Sequence, residues 1–75
     1  MKWERHGMGL QAIHATFNRT WVLTITIKLS GQWECNVFCN QTKRTRSMYA
    51  QTVEGAIALG EQFVNNRPAI HREGM

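Results

Sequence analysis

The chain has no aspartate; all five of its acidic residues are glutamates. A Ser-His-Asp arrangement is therefore impossible, and no motif supports a glutamate variant of it. Cysteine occurs twice, as Cys35 and Cys39. On one regular strand these two lie about 13 Å apart, whereas a disulfide needs Cα atoms within about 7 Å. The same spacing stops them sharing a metal there, and His6, His14 and His71 show no metal-ligand spacing. Both cysteines read as small, reduced core residues. No apolar run approaches the roughly 18 residues of a membrane span. The first seven residues lack the apolar centre of a signal peptide. Gly7 and Gly9 precede no strand-to-helix unit, so no phosphate-binding glycine loop is present. The expectation is a cytoplasmic protein that is not an enzyme, with no catalytic residue, cofactor or metal.

What is present is small and basic. The chain has 75 residues, and nine Lys or Arg against five Glu give a net charge of +4. A domain of this size buries roughly 60% of its unfolded surface, enough for one thin core. A positive balance favours phosphate backbones, acidic proteins or anionic surfaces.

Trp21 to Leu29 carries the clearest pattern. Trp21, Leu23, Ile25, Ile27 and Leu29 alternate with Thr24, Thr26 and Lys28, and only Val22 breaks the rhythm. Period two means a strand with one buried and one wet face. Gln32 to Asn40 repeats it through Trp33, Cys35, Val37 and Cys39, with Phe38 as the exception. Directly opposed residues of an antiparallel pair share a face. A three-residue loop, Leu29-Ser30-Gly31, satisfies that requirement and puts glycine at the left-handed position. It pairs Ile27 with Trp33, Ile25 with Cys35, Leu23 with Val37 and Trp21 with Cys39.

Residues 10–17 suggest an additional strand, and Asn18-Arg19-Thr20 a turn into the strong one. Asn40 to Lys43 reads as a further turn into a strand over residues 44–50. With another three-residue turn, Thr45, Ser47 and Tyr49 face inward, and Arg44, Arg46 and Met48 face water. Thr52 suits a helix N-cap, and Glu54 complements the positive end of the helix dipole. Val53, Ala56, Ile57, Gly60, Phe63 and Val64 share one helical face. Gly60 marks a close approach of helix to sheet. Asn65-Asn66 suits a left-handed cap, with Pro68 beyond it.

The expected fold is α+β: a three- or four-stranded antiparallel meander with one C-terminal helix on its apolar face. The helix covers Trp21, Leu23, Ile25, Ile27, Trp33 and Val37. Residues 1–9 form an arm, residues 10–66 the domain, and residues 67–75 a tail.

The uncovered face then carries Thr24, Thr26, Lys28, Glu34, Asn36, Phe38, Asn40, Arg44, Arg46 and Met48. Lys and Arg neutralise phosphates, Asn and Arg read base edges, and an exposed aromatic stacks on an unpaired base. The candidate binding residues are Lys28, Asn36, Phe38, Lys43, Arg44 and Arg46, and the leading partner is DNA or RNA. A wet sheet face is polar in any case, and edge strands carry cations to resist aggregation. Val22, Phe38 and Met48 make a small apolar patch, which favours a protein partner instead. An uncovered sheet with free edges also allows a homodimer. The helix has too few cations for membrane-surface binding.

Gln32-Trp33-Glu34-Cys35-Asn36-Val37, Lys43 to Tyr49 and Thr52-Val53-Glu54-Gly55-Ala56 resemble the strand–strand–helix rhythm of the AP2-like arm-binding domains of tyrosine recombinases. That resemblance implies a sheet lying in the DNA major groove, with Asn36, Arg44 and Arg46 toward DNA and Trp33 and Ala56 structural. Glu34 departs from the pattern, and no recombinase catalytic domain follows. The rhythm also resembles small accessory proteins of lambdoid prophages, which implies a regulator or an inhibitor of host nucleic-acid machinery.

Overall fold

A computed structural model describes residues 1–16 and 19–66. The expected tail, and Phe17 of the expected extra strand, lie outside the described residues. One five-stranded antiparallel sheet runs in meander order through β1 (Glu4–His6), β2 (Gly9–Ala15), β3 (Thr20–Ile27), β4 (Trp33–Cys39) and β5 (Arg44–Ala50). The helix α1 (Val53–Asn65) follows β5. The α+β class and the C-terminal helix are as expected, but the strand count is five rather than three or four. Residues 10–17 do supply a strand, β2. The fifth strand, β1, comes from the first nine residues, where three charged side chains show no periodicity.

The β3–β4 hairpin has the expected register, with Ile27 opposite Trp33, Ile25 opposite Cys35, Leu23 opposite Val37 and Trp21 opposite Cys39. Gly31 closes its loop at φ +94°, a left-handed conformation that glycine adopts without a Cβ clash. The Gly31 N–H donates to the Lys28 carbonyl at 2.9 Å.

The next hairpin has the opposite parity to that expected. Cys39 pairs with Arg44, Val37 with Arg46 and Cys35 with Met48. The connection is therefore four residues, Asn40 to Lys43, and the Lys43 N–H donates to the Cys39 carbonyl at 2.8 Å. Lys43 itself sits at φ +60°. One extra turn residue turns every side chain of the following strand over. Thr45, Ser47 and Tyr49 consequently face outward, and Arg44, Arg46 and Met48 face the helix side.

The helix starts as expected: the Thr52 hydroxyl accepts the Gly55 N–H at 3.0 Å. Its end differs, because Asn66 has φ −93° and is not left-handed. Ala56, Gly60 and Val64 form the buried stripe, each one helical turn from the next. They close over a core of Trp21, Leu23, Ile25, Cys35, Val37 and Cys39. Because only Gln51 and Thr52 separate β5 from α1, the helix folds back mainly over β4 and β5 and only partly over β3. Ile27, expected beneath it, is left exposed.

Two glycines fit places where a side chain has no room. A Cβ on Gly9 would collide with the Ile25 carbonyl oxygen of the neighbouring strand. A Cβ on Gly60 would lie 2.7 Å from Cys35 Sγ and 3.0 Å from Leu23 Cδ2. Alanine in a helix is otherwise better than glycine by about 1 kcal/mol. Gly60→Ala should reverse that sign and destabilise the protein by about 1–2 kcal/mol, because overpacking outweighs propensity. Urea unfolding measures the change, and a stabilised variant would contradict the close helix–sheet contact.

Candidate functional site

The six sequence-predicted binding residues do not share one surface. Lys28, Asn36 and Phe38 belong to the uncovered face, Arg44 and Arg46 to the helix side, and Lys43 to the turn between β4 and β5. Met48 also leaves the outer patch, since it faces the core with Cys35.

The uncovered face is close to electrically balanced. The Lys28 ammonium pairs with Glu34 at 3.2 Å. The Tyr49 hydroxyl donates to the other Glu34 oxygen at 3.0 Å. The Tyr49 hydrogen bond is the main reason the Glu34 carboxyl lies below its ordinary range; Lys28 and Asn36 assist, and burial opposes. The reciprocal bond to Glu34 raises the Tyr49 phenol. Ser47 donates to Asn36 Oδ1 at 2.6 Å. The polar groups of this face are thus largely engaged with one another. Its apolar part is a cross-strand row, with Ile13 opposite Val22 and Val22 opposite Phe38. Ile13, at 64% exposure, takes the place expected of Met48.

The cations gather elsewhere. On the helix side, Arg19, Trp21, Val37, Cys39, Thr42, Arg44, Thr45, Arg46 and Phe63 line a groove of about 590 Å³. The turn that inverts β5 delivers Arg44 and Arg46 to it, and Arg19 stands immediately before β3. Among the described residues, no carboxylate lines this groove. The only ion pair among the described residues is Lys28 with Glu34, on the opposite face.

Aromatic rings underlie the guanidinium groups. Arg19 lies 6.0 Å from the Trp21 ring centroid and Arg46 lies 5.7 Å from that of Phe63. Both distances fall within cation–π range. Trp21 and Phe63 meet edge to face, with centroids 5.8 Å apart. The result is an Arg–Trp–Phe–Arg series that holds two cations at the groove. The Trp21 indole N–H is buried and has no hydrogen-bond partner among the described residues.

Cys39 lies in the groove lining, free and buried. Burial pushes its thiol up, but hydrogen bonds from Thr42 and Gln41 and the nearby Arg19 charge together bring it below the ordinary value. Cys35, deeper under the helix, is raised by burial to about 11. The reading of both cysteines as reduced core residues holds.

Sequence reasoning treated Arg19 as a turn residue and Trp21 and Phe63 as core alone, so it missed the groove. Glu61 accepts the Trp3 indole N–H at 2.8 Å and ties the N-terminal segment to the helix. Among the described residues no group of three or more His, Cys, Asp or Glu is placed to hold a metal. No helix among them is long and apolar enough to cross a membrane.

No family model, curated protein or solved structure matches the chain.

The Glu34–Tyr49 pair has a pH consequence. A carboxyl lowered in the folded state contributes stability above its unfolded pKa and loses it as pH falls through the folded value. Tyr49→Phe should return the Glu34 titration toward the ordinary glutamate range and weaken that acid-side dependence. NMR titration of the Glu34 carboxyl carbon checks it; an unmoved midpoint would exclude the hydroxyl as the cause.

Proposed function

We propose that this protein is a small nucleic-acid-binding accessory protein that contacts its partner through the helix-side groove rather than the uncovered sheet face. The observation carrying this reading is the convergence of Arg19, Arg44 and Arg46 on one groove that no carboxylate of the described residues lines. Arginine side chains held apart from carboxylates remain available to phosphate oxygens, which they engage bidentately. Lys43, on the adjoining turn, adds a fourth cation. Lys28 is already neutralised by Glu34 and contributes little. Asn36 and Phe38, on the far side of the sheet, are not part of this interface. Binding is dominated by neutralisation of the phosphate backbone and release of its counterions. A cytoplasmic setting and a prophage-type accessory role are compatible with this reading.

A second reading, a protein-binding inhibitor or regulator, draws on the Ile13–Val22–Phe38 row, in which Ile13 is exposed and Val22 and Phe38 are half-buried. An apolar row on an otherwise polar, internally paired face suits a protein contact, either with a host protein or with a second copy.

A salt series separates the two readings. Affinity for a labelled oligonucleotide should fall steeply with salt, and Arg44→Ala with Arg46→Ala should reduce the slope of log K against log salt by about 1.5–2. Val22→Glu and Phe38→Ala should leave oligonucleotide binding unchanged. Salt-independent binding, or loss of binding on changing Phe38 alone, would transfer the function to the uncovered face.

A further inference from the structure

We infer that the helix-side groove accepts a single strand, with one base entering the groove while the arginines hold the flanking phosphates; this rests on the nucleic-acid reading above. The groove is concave and its floor is apolar in part, formed by Trp21, Val37, Cys39 and Phe63. A base-paired backbone presents a convex ridge of phosphates with its bases turned inward. Such a ridge meets the arginines but leaves the floor unfilled. A single strand can turn a base out of its stack, and its planar, mostly apolar ring fits between guanidinium planes and aromatic edges. A cationic rim beside aromatic side chains is the composition that single-strand sites use.

One further detail supports this assignment. The guanidinium groups of Arg19 and Arg46 are already set against ring systems, which limits their freedom before any ligand arrives. Less conformational entropy is then lost when they engage a phosphate or stack on a base.

The test uses the whole chain and two fluorescent probes of equal length, an oligothymidylate and a mixed-sequence duplex, at one salt concentration. Anisotropy should show the single strand binding at least about tenfold more tightly, in keeping with one stacked base. In a nitrogen–proton correlation spectrum of the same protein, the Trp21 indole signal should shift with oligothymidylate. The Trp3 and Trp33 indoles should stay in place, since neither residue lines the groove. An abasic oligomer with the same number of phosphates should bind more weakly than oligothymidylate and leave Trp21 unmoved. Equal affinity for strand, duplex and abasic oligomer would overturn the inference while preserving a phosphate-binding groove. No binding of any of them would overturn both.

Discussion

Strand parity at the β4–β5 hairpin decides what this molecule offers to a partner. The chain from Asn40 to Lys43 crosses from β4 to β5 in four residues, and Lys43 adopts a left-handed backbone to close the turn. For a residue with a Cβ that conformation costs roughly 1–2 kcal/mol. The register it permits places Met48 against the core beside Cys35 and leaves Tyr49 outside to bond Glu34. With the opposite parity, Met48 would be on the wet face, and Thr45 and Ser47 would have to meet the helix. Burial of apolar surface therefore favours the observed arrangement, and the two arginines follow Met48 to the helix side.

The two faces of the sheet differ in how their charges are used. On the uncovered face, Lys28, Glu34, Tyr49, Asn36 and Ser47 satisfy one another. On the other face, the helix covers only part of the sheet. At its C-terminal end, Phe63 meets Trp21 and Arg46, and together with Arg19 and Arg44 they border open space. The proposed nucleic-acid binding rests on a modest net charge of +4, whose placement matters more than its size. Cations spread evenly over a surface attract phosphate weakly, whereas cations focused in a groove act on one stretch of backbone.

The extent to which this was legible in the sequence follows from the patterns themselves. The β3–β4 hairpin was readable because apolar residues hold odd positions on both strands and Gly31 marks the loop. The helix start was readable from Thr52 and Glu54, and the close contact at Gly60 from a glycine in an apolar helical stripe. β5 was not readable in the same way. Arg44, Thr45, Arg46 and Ser47 are polar at both parities, so burial does not choose between them. The available signal was Met48 with Ala50, two apolar residues on one parity, but Tyr49 on the other obscured it. The Trp3–Glu61 bond joins segments far apart in sequence and leaves no local trace, while β1 pairs with β2 across the short Gly7-Met8 turn but is too brief to show a period. The candidate site suffered accordingly: the arginines were identified as residues, but their face and their neighbours Arg19, Trp21 and Phe63 were not.

The face occupied by Arg46 can be observed without any ligand. In a three-dimensional NOE spectrum of the free protein, its side-chain methylene protons should show contacts to the Phe63 ring and an upfield shift from that ring. Contacts from Arg46 to Asn36 or Phe38 instead, with Ser47 directed toward the helix, would contradict the four-residue turn and leave the cationic groove without its arginines.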